Sequence, residues 1–77
     1  MEKNEVLITD MKERLNDILI SVGWAEIAGT YFHRHSRWLY HKLDAVDNDG
    51  FSVEEAEQLK GALVDLSDRI RRAADKI

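Results

Sequence analysis

Seven apolar residues fix the geometry of the last third of this chain. Ala56, Leu59, Leu63, Leu66, Ile70, Ala73 and Ile77 follow one another at alternating steps of three and four. A helix places such positions on one face, and about three heptads of them form a seam that another helix can fill. The start is marked too. Ser52 and Glu55 have the S-x-x-E spacing of a capping box, in which a hydroxyl and a carboxylate satisfy two orphan backbone amides. Glu54, Glu55 and Glu57 suit the positive end of the helix dipole, and Arg69, Arg71, Arg72 and Lys76 the negative end. The spacing predicts one helix over about Val53 to Ala74. Its stripe is longer than two short helices can cover. The near leucines are expected to pack inward, and the far end to serve self-association. The expected homodimer seam is Leu59, Leu63, Leu66, Ile70, Ala73 and Ile77.

A second stripe opens the chain. Ile8, Met11, Leu15, Ile18 and Val22 recur at helical spacing, widened by Leu7 and Leu19. They predict a helix over about Asn4 to Ile20. Ser21 offers a cap and Gly23 a bend, so a short helix follows from about Trp24 to Phe32. His33-Arg34-His35 reads as a turn. Ser36 then caps a second short helix, about Arg37 to Leu43, with Trp38, Leu39 and Leu43 facing inward. Asp44 to Gly50, DAVDNDG, is a loop by composition. The chain holds no proline to interrupt a helix. The expected fold is all-α with four helices in one domain over 1–77. Two short central helices form a helix-turn-helix-like pair, about 24–43, between two longer amphipathic ones.

Seventy-seven residues bury a modest core. A domain this small has a stability on the order of 3–5 kcal/mol unless something staples it. There is no cysteine to do so. The N-terminal stretch is charged throughout, without the apolar core of a signal peptide. No run approaches the roughly 20 apolar residues of a membrane span. A cytoplasmic protein away from membranes is expected.

The net charge of −4 argues against a polyanion partner, but its distribution does not. Residues 44–57 hold six acids and no base. Just before them, YFHRHSRWLYHK (Tyr31 to Lys42) holds all three histidines, four of the six aromatics, three bases and no acid. In a helix-turn-helix the second helix offers its exposed face to the major groove. Ala28 and Gly29 supply small residues where the helices would cross. Arg34, His35 and Ser36 would lie at the N-terminal edge of the second helix, with Arg37, Tyr40, His41 and Lys42 along its outer face. Arginine grips guanine through two bonds, while lysine and serine mostly meet phosphate. Double-stranded DNA is the expected partner on this reading. On the plainer one, the two short helices merely complete a bundle with a basic surface.

Other chemistry is poorly served. Asp47, Asp49 and Glu55 resemble part of a calcium loop with Gly50 at its turn, but Ala45 takes the first ligand position and Glu55 falls one residue early. A solvated turn is preferred. His33, His35 and His41 fall at angles unsuited to zinc. Neither a nucleophile elbow nor a phosphate-cradling glycine loop is present. No enzyme activity, cofactor, metal or small-molecule substrate is expected.

IAGTYFHRHSRWLYHKLD (Ile27 to Asp44), with EEAEQLKGALVDLSDRI downstream, resembles a family of short uncharacterised bacterial proteins. They come mostly from gut anaerobes and are known as a domain of unknown function. The likeness rests on Ile27-Ala28, Tyr31-Phe32, Trp38-Leu39-Tyr40, Leu43, and the later Leu59, Leu63 and Leu66. It runs from Trp24 onward. It implies a helical family with a DNA-binding segment and no established activity. This chain departs at the turn, where His33 and His35 replace glycine and small polar residues, and in the DAVDNDG loop. Two functions follow as expectations. One is a small DNA-binding regulator, of the kind carried by mobile elements. The other is a protein-interaction or assembly module, a helical homo-oligomer with no nucleic-acid role.

Overall fold

Four α-helices order the described residues: α1 (Met11–Arg14), α2 (Trp24–Ile27), α3 (Ser36–Leu43) and α4 (Val53–Ala74). The computed structural model describes residues 6–77. Among these there is no strand, and one isolated antiparallel bridge joins Ile8 to Phe51. The protein is mostly helical, as expected, but its first element is not the long helix read over Asn4 to Ile20.

The opening residues of that expected helix, through Glu5, lie outside the described ones. Ile8 exchanges both backbone bonds with Phe51, at 2.7 and 2.8 Å. Gly50 permits the approach: a Cβ there would stand 2.0 Å from the Ile8 carbonyl oxygen. After the single turn of α1 the chain continues as linked turns. The Ile18 amide donates to the Leu15 carbonyl (2.9 Å), and Val22 to that of Ile18 (3.2 Å). Asn16 and Asp17 sit at the break, where short polar side chains compete with helical backbone bonds. The apolar spacing still serves its purpose, because Ile8, Leu15, Ile18, Leu19 and Val22 pack against the core.

α2 begins after Gly23 without a side-chain cap, so Ser21 does not have the capping role expected of it. Trp24 anchors the start instead, its indole N–H donating to the Leu19 carbonyl at 2.8 Å. The helix expected over Trp24 to Phe32 is present, with Ala28–Phe32 widened into a π turn. A π turn accommodates one residue more than an α turn. It ends at His33, whose φ of 55° is left-handed. Glycine usually takes that place; histidine is among the residues that tolerate it. Arg34 then closes on the Ala28 carbonyl at 3.0 Å. α3 is capped by His35 rather than by Ser36. The His35 Nδ1 accepts the Arg37 amide at 3.0 Å, and Ser36 is already helical.

α4 agrees with its expected span, capping box included. The Glu55 amide donates to Ser52 Oγ (3.1 Å), and the Ser52 amide to Glu55 Oε1 (2.9 Å). Phe51, Ile27, Leu39 and Leu59 are fully buried, joined by Met11, Trp24, Ala28, Leu43 and Ala62. Leu59 therefore leaves the expected dimer seam: it is 1% exposed within a single chain and belongs to the core. Tyr31 fastens the π turn to α4. Its hydroxyl donates to Asp65 and accepts from Arg69 (3.3 Å), and Gln58 donates to its carbonyl (2.8 Å).

Beyond Leu66 the helix projects from the body, with Arg69 still reaching back to the Tyr31 hydroxyl, and from Ser67 to Ile77 every residue is exposed. The radius of gyration is 13.9 Å, against about 11–12 Å for a compact chain of this length. The projecting helix accounts for the difference, and for extents of 55 × 23 × 22 Å.

Candidate functional site

Two surfaces carry the residues that the sequence singles out. The first is the edge of α3, built around Trp38. Phe32 tilts against the Trp38 ring, 5.1 Å between centroids. The Arg34 guanidinium lies 5.2 Å from the same ring and the Lys42 ammonium 5.7 Å. Cations at such distances are attracted by the ring's negative face, by about 0.5–1 kcal/mol where exposed. Much of the island therefore satisfies itself.

Lys42 is expected on the outer face, and the structure turns it inward. Its Nζ stands 3.1 Å from Glu55 Oε1, 3.3 Å from Asp49 Oδ1 and 3.1 Å from the Gly50 carbonyl, with the side chain 13% exposed. The Ile8–Phe51 bridge and the capping box hold this acidic stretch against the end of α3, where the long lysine stem can reach it. Burial pulls the Lys42 pKa down, but its hydrogen bonds and ion pairs with Glu55 and Asp49 outweigh that and hold it above its ordinary value. His41 Nε2 faces the other oxygen of Asp49 at 3.3 Å.

The remaining edge stays open. Arg34, Arg37 and Tyr40 are exposed, as is His35 despite its capping bond, and Ser36 is half-buried. Among the described residues neither Arg34 nor Arg37 forms an ion pair. Of the seven residues read as a nucleic-acid surface, two arginines, Tyr40 and His35 keep an outward position. Lys42 does not, and His41 is shared with Asp49. Of the carboxylates weighed for calcium, Asp49 and Glu55 bind Lys42 while Asp47 is exposed, and the turn glycine is explained by its closeness to Ile8. Among the described residues no three His, Asp or Glu side chains are grouped to hold a metal ion.

The second surface is the outer stretch of α4. Leu63 and Leu66 are half-buried at the body's edge, while Ile70 is 60% exposed, Ala73 is exposed and Ile77 lies fully outside. Val64, off the expected seam, is 54% exposed. A groove of about 340 Å³ opens beside the near half of the helix. Met11 and Leu15 form one wall and Ala56, Lys60 and Leu63 the other, with Glu57 beside them. Sequence reasoning misses this groove: the stripe places Met11 and Leu15 on one face, but not the gap left between them and Ala56, Lys60 and Leu63 of α4. It also misses Phe51, for which a signal was available. An apolar residue just before a helix cap, with another five positions on (here Ala56), is the pattern of a hydrophobic staple.

No helix among the described residues is long and apolar enough to cross a membrane. A family model described as a domain of unknown function (DUF5053) matches residues 11–77. Neither the curated proteins nor the solved structures yield a match.

Proposed function

This chain belongs to the DUF5053 family, a domain of unknown function, and we propose that it is a helical assembly module joining copies of itself through the outer half of α4. One observation carries the reading. The apolar seam that fills the core at Leu59 continues in register through Ile70, Ala73 and Ile77, where the single chain leaves it uncovered. Monomeric proteins seldom leave a contiguous apolar strip in water, and its burial is the usual driving force for association. Two copies with different tags should co-purify and exchange on mixing. The Ile70→Glu variant, altered at an exposed position, should remain helical and fail to co-purify. Loss of exchange in neither protein would remove the seam from the interface.

A second reading, a DNA-binding regulator using a helix-turn-helix-like pair, has one observation in its favour. Arg34 and Arg37 carry charge toward solvent with no paired carboxylate among the described residues. Against it stand the capture of Lys42 and a net charge of −4. Binding of this kind weakens steeply with salt, because phosphate contacts release counterions. Retardation of duplex DNA at low salt, abolished by Arg34→Ala with Arg37→Ala, would favour it over assembly alone.

A further inference from the structure

We infer that the second copy lies antiparallel along α4, and that the groove beside Met11 and Leu15 receives Ile77 of that copy. The inference rests on the assembly reading and assigns its register. Leu63 and Ile70 are a heptad apart on one line of α4, Ile77 stands a heptad further in the turn that follows Ala74, and Lys60, Ser67 and Ala74 alternate with them at steps of three and four. The line runs out of the groove, since Lys60 and Leu63 form its wall. Large side chains thus alternate with small or slender ones along a single face, which lets one helix seat its knobs in the gaps of another.

Direction follows from what each packing sets opposite what. In a parallel pair like faces like: Lys60 would meet Lys60 of the other copy, Ser67 would meet Ser67, and both bodies would crowd the same end. In an antiparallel pair centred between Asp68 and Arg69, each large residue meets a small one. Leu63 falls beside Ala74 of the second copy and Ile70 beside its Ser67. Ile77 lies along the aliphatic stem of its Lys60. The two bodies then sit at opposite ends, and the helix dipoles oppose each other favourably. The level of Lys60 is the level of the groove, so the incoming Ile77 arrives where Met11, Leu15, Ala56 and Leu63 leave apolar space. Because the same two features serve both copies, the interface is isologous and closes at two.

The chain has no cysteine, so engineered thiols report position without background. Leu63→Cys and Ala74→Cys, made as separate single variants and mixed under mild oxidation, are expected to form the mixed disulfide in large excess over either like-with-like product. Facing positions bring the two Cβ atoms to bridging distance. Like-with-like bridges in excess would overturn the antiparallel register while leaving self-association in place. No bridge in any combination, together with a monomer in sedimentation, would remove both. The groove has its own readout. Ile77→Asp changes an exposed side chain and is expected to weaken association roughly tenfold or more, with helix content unchanged. An unaltered dissociation constant would exclude the groove from the contact.

Discussion

Lys42 Nζ and Glu55 Oε1 stand 3.1 Å apart, joining the last turn of α3 to the first turn of α4. Glu55 also holds the capping box, accepting the Ser52 amide at 2.9 Å. One carboxylate therefore both starts the long helix and neutralises the most inward cation of the basic island.

Removing the cation should destabilise the fold without abolishing it. Lys42→Met keeps an apolar stem but loses the bonds to Glu55, Asp49 and the Gly50 carbonyl and the ammonium's attraction to the Trp38 ring. Hydrogen bonds to charged groups contribute about 1.5–3 kcal/mol each at best. These carboxylates are part-exposed and can rehydrate, so a net loss of about 1–2 kcal/mol in urea unfolding is expected. A variant as stable as the native protein would contradict the assignment.

The pH dependence carries a definite sign. The folded-state pKa of Lys42 is raised, so its stabilisation is fully present below the lysine's ordinary, unfolded value and fades as pH rises through the folded one. The native protein should therefore lose stability in the alkaline range through this group, and Lys42→Met should show less of that loss. Parallel stability curves for the two proteins above pH 10 would count against it.

Gly50 is constrained by its neighbour. In Gly50→Ala the added carbon would meet the Ile8 carbonyl at 2.0 Å, so the Ile8–Phe51 bridge must open. Overpacking of this kind costs about 1–3 kcal/mol, a large share of what a domain of this size has. A marked fall in melting temperature is expected; calcium in the buffer should not restore it.

Ala45 should respond in the opposite direction. Its φ of 51° and ψ of 45° are left-handed, a region that costs an L-residue with a Cβ roughly 1 kcal/mol. Ala45→Gly should raise stability by a few tenths to about 1 kcal/mol, after the added freedom of the unfolded chain is subtracted. A destabilised variant would mean that the turn is held differently.

How far the sequence could be read depended on whether the signal was local. The capping box and the stripe of α4 lie within one helix, and its span follows from them directly. The same holds for Trp24 to Phe32 and for the inward positions of Leu39 and Leu43. What failed was decided by distant partners. Ile8 fits a helical stripe in sequence, but Phe51 claims it through backbone bonds that no periodicity records. Lys42 fits an outer face until Glu55 and Asp49 are brought against it. His35 displaces Ser36 as cap because the left-handed turn at His33 shifts the start of α3 by one residue. Leu59 and Ile70 are indistinguishable in spacing; the end of the body separates core from surface, and spacing does not reveal where the body ends.

Sedimentation equilibrium of the native chain over low to high micromolar concentrations tests the central claim most directly. The mass is expected to rise from 8.9 kDa to twice that value, with Ile70→Glu remaining at the lower one throughout. A native chain that stays at 8.9 kDa at the highest concentration would contradict it.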